Sequence, residues 1–376
     1  MRGRPLARLT DVGGDQREDD RTNDLPARIE AALVDFLDEQ AERLAPLGAD
    51  AAELLAAARG SVAGGKRLRA RFCYWGYRAV RPDPSPAQEA ALVRACAALE
   101  LLHASALVHD DYMDASDTRR GRPATHRAFE ARHREAGWTG DPVQYGAAAA
   151  ILLGDLLLSW ADELLRRCGL PLTEVGPALE VFDLCRSEVI AGQFLDVSVQ
   201  ARAAADVAQA MTVLRYKSAK YSVERPLHVG AALAGADDDL LAQLSGFGLP
   251  VGEAFQLRDD QLGVFGEPAT TGKPAGDDLV EGKRTVLVAL ALQALDRTGD
   301  DDAAADLDRS LGTPLGPDDV ARLRVTIERS GAREAVERVI GELTGRALAS
   351  LDGAGLPAGA ATALRELALA ATRRTS

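Results

Sequence analysis

The chain has 376 residues, 47% hydrophobic and 27% charged, enough to bury a large core in one domain or two. Its 44 Lys and Arg stand against 57 Asp and Glu, a net charge of -13, which argues against a general nucleic-acid binder, since such proteins neutralise phosphates with excess basic charge. A small anionic substrate stays open, because local basic clusters and bound cations can reverse the field inside one cleft.

Residues 1–26 are rich in Asp, Arg, Gly and Thr with little to bury, and are expected to form a disordered tail. Arg2, Arg4 and Arg8 are followed by no apolar stretch, so no signal peptide is expected. From Ala27 to the end, residues 27–376 read as one all-helical domain, dominated by Ala, Leu, Arg and Glu. Long helices are predicted over Glu89 to Asp114, Pro142 to Arg167, Ala204 to Ala234 and Asp238 to Leu262. Pro226 and Pro250 are expected to kink or split the last two. Breaks fall at Arg81-Pro-Asp-Pro-Ser-Pro, Gly169-Leu-Pro and Gly266-Glu-Pro. Several of these helices are apolar on most faces and must be surrounded by others, which makes the fold all-α. The most apolar run, Gly146 to Gly154, is about half of the ~20 residues a membrane span needs, so no spanning segment is expected. Cys73, Cys96, Cys168 and Cys185 form no CxxC pair and suit a reducing cytoplasm, as small buried apolar residues. From Asp300 the chain is Ala- and Asp-rich and is predicted to be helical, with a packing role only.

Chemistry is concentrated where two apolar helices end. The first ends in His109-Asp110-Asp111-Tyr112-Met113-Asp114. On a helix Asp110 and Asp114 stack one turn apart with Asp111 beside them, so three carboxylates are expected to converge on one patch. Such a patch repels itself and calls for cations; magnesium suits it, taking one or two carboxylates and completing its shell with water and phosphates. A lone DDxxD is more often an exposed acidic helix end. Here Leu99 to Val108 are mostly apolar, and the basic run Arg119-Arg120-Gly-Arg122 follows at once, a pairing that suits metal ions and diphosphate oxygens together. The second motif is Phe255-Gln256-Leu257-Arg258-Asp259-Asp260-Gln261-Leu262-Gly263, trailed by Lys273 and Lys283. A third element, Gly64-Gly65-Lys66-Arg67-Leu68-Arg69, opens a helix and offers backbone N–H groups and cations to an anion. By itself it would pass for an ordinary basic helix start. Gly266 to Lys273 fails as a P-loop, because the glycine spacing is one residue too long and Pro274 replaces the Ser/Thr.

Together GGKRLR, the first DDxxD with its RRG, GQFLD, KSAKYS and FQLRDD resemble the trans-isoprenyl diphosphate synthases, most closely the bacterial geranylgeranyl diphosphate synthases. The resemblance runs from about Gly64 to Thr285. It implies the isoprenoid synthase type I fold, a large helical bundle around a central cavity. The implied reaction joins isopentenyl diphosphate head-to-tail, in trans, to an allylic diphosphate. Asp110, Asp111 and Asp114 then resemble one magnesium cluster, and Asp259, with Asp260 beside it, the ligands of a further ion, three magnesium ions per active site in all. Lys66, Arg69, His103 and Arg120 resemble the isopentenyl diphosphate pocket. Arg119, Lys217, Lys273 and Lys283 resemble the grip on the allylic diphosphate, with Gln193, Asp196 and Gln256 lining the site. The resemblance also implies a homodimer formed through a helical face; the cysteines and the absence of a spanning run lead us to expect a cytoplasmic protein with no membrane anchor. Two positions depart from the pattern. Gly263 stands where the second motif usually ends in Asp, a loss expected to be tolerated because the first aspartate is the main metal contact. Ser218 replaces a usual threonine and keeps its hydroxyl.

The product tail is expected to run down the first aspartate helix past Ala106 and Ser105, roughly 6–8 Å below the metal by helix rise. Both are small, and Leu102 with Leu101 would form the floor, which favours a C20 product. Class I terpene cyclases also ionise allylic diphosphates at a DDxxD, but they need no isopentenyl diphosphate pocket, so Lys66, Arg69 and Arg120 argue against cyclisation. A non-catalytic partner subunit is the other alternative, opposed by the intact first motif.

Overall fold

A computed structural model describes residues 24–203, 206–266 and 276–373. Lys273 and most of the expected N-terminal tail lie outside the described residues. The end of that tail is helical instead: α1 (Leu25–Leu44) begins two residues before Ala27 and buries Leu25 completely. α2 (Ala49–Val62) and α3 (Leu68–Val80) follow, leading to α4 (Pro86–Met113). α4 is set by its first turn, where Ser85 and Gln88 form a capping box and Pro86 occupies the start. Its 28 residues make a rod about 42 Å long. Between Ala91 and Val108 it is buried on nearly every face, packed by α1, α2, α3 and, beyond the hairpin β1 (Thr118–Arg119) and β2 (Arg122–Pro123), by α6 (Pro142–Arg166). α5 (Thr125–Glu135) lies along α6.

Contrary to expectation, α4 is long and apolar enough to cross a membrane by length and composition, with a mean hydropathy of 1.6. That stretch is 78% buried among its neighbours, so it is the central rod of the assembly. Cys73, Cys96, Cys168 and Cys185 are all buried, unpaired thiols.

The helix α7 (Leu172–Arg202), which carries GQFLD, was not among the long helices expected from the sequence; its apolar residues are spread around the axis and Pro177 lies inside it. The helix expected from Ala204 to Ala234 is three elements: α8 (Val207–Val213), a π-helix (Leu214–Glu224) and α9 (Arg225–Leu233), with Pro226 in the first turn of α9. Pro250 splits nothing. α10 (Asp238–Phe265) runs through it, with Phe247, Gly248, Pro250 and Val251 all buried, packing that offsets the roughly 3 kcal/mol a helix-interior proline costs. After α11 (Asp277–Val280), α12 (Val286–Thr298), α13 (Asp301–Ser310), α14 (Pro317–Arg329), α15 (Ala332–Gly353) and α16 (Ala358–Thr372) complete the described chain. Two apolar clusters result. One surrounds α4, and the other joins the later half of α10 to α12–α15; α10 belongs to both.

The π-helix lies between α7 and α10 at backbone contact. A Cβ on Gly192 of α7 would overlap Lys217 N and stand 2.6 Å from the Tyr216 carbonyl carbon. A Cβ on Gly252 of α10 would stand 2.8 Å from the Ala219 carbonyl carbon. Only glycine permits this approach. π segments are uncommon and recur at functional sites, and this one carries the whole KSAKYS motif.

Candidate active site

α4 delivers Asp110, Asp111 and Asp114 at its C-terminal end, where the helix dipole already disfavours negative charge. Cations from three other elements compensate. Asp110 accepts from Gln193 Nε2 of α7 at 3.0 Å and faces Lys217 Nζ of the π-helix at 3.4 Å. Lys217 also bonds Asp196 at 2.6 Å. Burial pulls the Lys217 ammonium down, but Asp110 and Asp196 more than offset it and hold it above its ordinary value. Asp114 faces Lys283 at 3.3 Å; burial, then the Asp110 charge, pushes its carboxyl up to about 6. Asp111 turns to Arg119. It is buried and accepts from Arg119 Nε at 2.8 Å and from a second Arg119 nitrogen, which also lies 3.9 Å from Asp110.

On α10, Asp259 is exposed and Asp260 buried, its Oδ1 accepting from Gln256 at 2.8 Å. Burial, then Asp278, pushes the Asp260 carboxyl up to about 8. Lys283 ties this region to α4: it pairs with Glu281, lies 3.6 Å from Asp278 and reaches Asp114. Ser116, just past α4, donates to Glu281 at 3.1 Å. The two acidic motifs are thereby held together through the turn at 276–285. Among the described residues no three His, Cys, Asp or Glu side chains form a closed metal cage.

A second, basic pocket lies further back on α4. His103 stands seven residues before Asp110, on the same face and about 10 Å away by helix rise. Its Nδ1 is 3.2 Å from the Tyr221 hydroxyl. Arg69 stacks on the Tyr221 ring at 4.3 Å and donates to Ser222 Oγ at 2.9 Å. Burial, then Arg69 and Arg120, push His103 well below its ordinary value, so it is neutral near pH 7. Arg120 donates to Ala63 O at 2.9 Å and lies across Gly65, while Lys66 is exposed at the rim. The loop before α3 needs Gly64 (φ 66°), Gly65 (φ 96°) and even Arg67 (φ 52°) in the left-handed region. Arg67 is held there by Glu100 at 3.0 Å and by Val62 O at 2.8 Å. No side chain caps α3, so its first N–H groups stay open to an anion.

Sequence reasoning missed several of these residues. Tyr221 and Ser222 lie inside a motif it quoted, so their signal was there to read. Glu188, which binds both Lys220 and Arg225 and so fixes the π-helix to α7, carried no local signal. Between Leu101 and Asp110 the partly open residues of α4 are His103, Ala106, Leu107, His109 and Asp110; His109 turns to Ile151 O of α6, and the other four share one face. Ala106 lies on it as expected, joined by Leu107. Ser105 does not: it is buried against α6, donating to Gly154 O at 2.7 Å. Leu101 and Leu102 are buried in the core around α4.

With this geometry in view, the chain matches a known family model, described as polyprenyl synthetase, over residues 51–311. It is 32% identical over 278 residues to a geranylfarnesyl diphosphate synthase of Aeropyrum pernix, covering 73% of this chain and 79% of that one. It is also 32% identical over 269 residues to a (2E,6E)-farnesyl diphosphate synthase of Mycobacterium tuberculosis, covering 72% and 68%. A crystal structure of geranylgeranyl pyrophosphate synthase from Corynebacterium glutamicum, complexed with isoprenyl diphosphate and magnesium, superposes with a TM-score of 0.90 at 41% identity, covering 93% of this chain and 99% of that one.

Proposed function

The chain belongs to the polyprenyl synthetase family, and on that premise we propose that it condenses isopentenyl diphosphate with an allylic diphosphate to give geranylgeranyl diphosphate, C20. It is a trans-prenyl diphosphate synthase with the isoprenoid synthase fold. The observation that carries the reading is the pairing of two anion sites on one face of α4. At one, Asp110 and Asp114 alternate with Lys217 and Lys283; at the other, Arg69 and a neutral His103 meet Tyr221, with the Arg120 charge near His103.

The residues present fit magnesium. Asp110, Asp114 and Asp259 offer hard oxygens, and each lysine beside them can shift to phosphate oxygens once the carboxylates bind metal. When bound, magnesium supplies Lewis acidity that stabilises charge on the departing diphosphate. We assign three ions per site. Lys217, Lys283 and Arg119 bind the allylic diphosphate and stabilise its developing charge, an electrostatic contribution made without reorganising water. Arg69, Arg120 and Lys66 hold isopentenyl diphosphate so that its double bond attacks the allylic carbon. His103 orients Tyr221 and adds no positive charge of its own. A proton is lost from the condensed product, with the released diphosphate as acceptor.

Incubating the purified chain with magnesium, isopentenyl diphosphate and allylic diphosphates from C5 to C20 should give elongated products ending at C20 by mass spectrometry. Cyclised hydrocarbons would favour a cyclase, and no turnover by the chain alone a partner subunit. Product length does not follow from identity, since the farnesyl and geranylfarnesyl synthases above are equally similar. The C20 reading is supported by α4, where small Ala106 leaves the face below Asp110 open. Ala106→Phe should therefore shift the product to C15 or shorter, and Ser105→Phe should instead destabilise the α4–α6 contact. Unchanged product length in Ala106→Phe would remove this assignment.

The homodimer is supported by an apolar stripe on α7, where Ile190, Phe194 and Val197 are exposed at helical spacing, Phe194 by 73%. Sedimentation equilibrium should give twice the chain mass, falling to one chain in Phe194→Asp. A cytoplasmic location without a membrane anchor is supported by the four unpaired thiols and the buried state of α4. Recovery with the membrane fraction after cell lysis would refute it.

A further inference from the structure

The second acidic motif ends in Gly263, and the space a side chain would take there is filled. A Cβ on Gly263 would overlap Oδ2 and Cγ of Asp278 and stand 3.0 Å from its Oδ1. On α10, position 263 lies one turn beyond Asp259 and Asp260, on their side of the helix. The Asp278 carboxylate therefore occupies the root of the side chain that an aspartate at 263 would carry, although it comes from α11.

The turn that delivers it is built to do so. Gly276, at φ 75° in the left-handed region, stands at the N-terminus of α11. Leu279 is fully buried, and its carbonyl accepts from Gly312 N at 3.0 Å. The Asp278 carbonyl accepts from Lys283 N at 2.9 Å, closing the turn so that both side chains lie together, their charges 3.6 Å apart. Lys283 continues to Asp114 on α4. Asp278 also raises the Asp260 carboxyl, second only to burial, as a nearby like charge must.

We propose that Asp278 replaces the missing motif aspartate: it completes the second acidic cluster with Asp259 and Asp260 and sets Lys283 against the diphosphate-binding end of α4. The inference rests on the prenyltransferase reading and adds a positioning residue to it. Gly263 is then required, because an aspartate there and Asp278 would compete for one space.

The test is equilibrium binding of inorganic pyrophosphate to the full chain, by calorimetry with and without magnesium, beside thermal unfolding of each variant. Asp278→Asn, which keeps shape and loses charge, should weaken magnesium-dependent binding roughly 10–100-fold, the range for partners that support metal ligands. Gly263→Asp alone should also weaken it and lower the unfolding temperature. The swap, Gly263→Asp with Asp278→Gly, should recover affinity over Asp278→Gly alone. Parental affinity in Asp278→Asn, or a swap no better than Asp278→Gly, would overturn the inference while leaving product formation by the parent chain intact. Failure of the parent to bind pyrophosphate with magnesium would overturn the functional reading and this inference together.

Discussion

Asp110→Asn should lower turnover about 10²–10³-fold, the scale seen when one group stabilising transition-state charge is removed. Asp110 is the hub of the first motif, meeting Gln193, Lys217 and Arg119 from three different elements. Asparagine keeps the volume but loses the charge, and its amide turns a donor toward Lys217 or Gln193. Lys217 would then rest on Asp196 alone. The basic pocket around His103, proposed to hold isopentenyl diphosphate, lies about 10 Å away by helix rise, so KM for that substrate should change little while kcat collapses and more magnesium is needed. Steady-state kinetics at varied magnesium separates these effects. Full turnover in Asp110→Asn at ordinary magnesium would be incompatible with the assigned role.

Gly192→Val should reduce both stability and turnover without touching a charged residue. Its Cβ alone would overlap the Lys217 amide nitrogen, so α7 and the π-helix must separate. Overpacking of this kind typically costs about 1–3 kcal/mol. A shift of the lysine by 1 Å can cost on the order of 10²-fold in rate. Gly176, on the same helix, supplies the control because a Cβ there meets nothing within 4 Å. Gly176→Ala should be neutral or more stable by up to ~1 kcal/mol through helix propensity. Thermal unfolding and kcat measured on both variants decide the matter. Equal behaviour would mean that the closeness of α7 to the π-helix does not position Lys217.

The groups assigned the chemistry were legible in the sequence because their signals are local. The spacing of Asp110 and Asp114, the apolar run before them and the basic run after them are all facts about neighbouring residues. The all-helical class followed from composition for the same reason, and so did the ends of α4 and α6 to within a few residues. The π-helix was not legible, because its phase is set by Gly192 and Gly252 on two other helices and by Glu188 holding Lys220 and Arg225.

By itself, then, the sequence determined which residues are acidic, basic or small, and which of them share a helix face. Only the tertiary structure decided their partners: Asp111 turned to Arg119, Ser105 to the Gly154 carbonyl, and Asp278 into the space beside Gly263. The physical reason is range. A helix period fixes direction around one axis, whereas ion pairing and packing depend on which distant segment comes within a few ångströms, and that is settled only when the whole core closes.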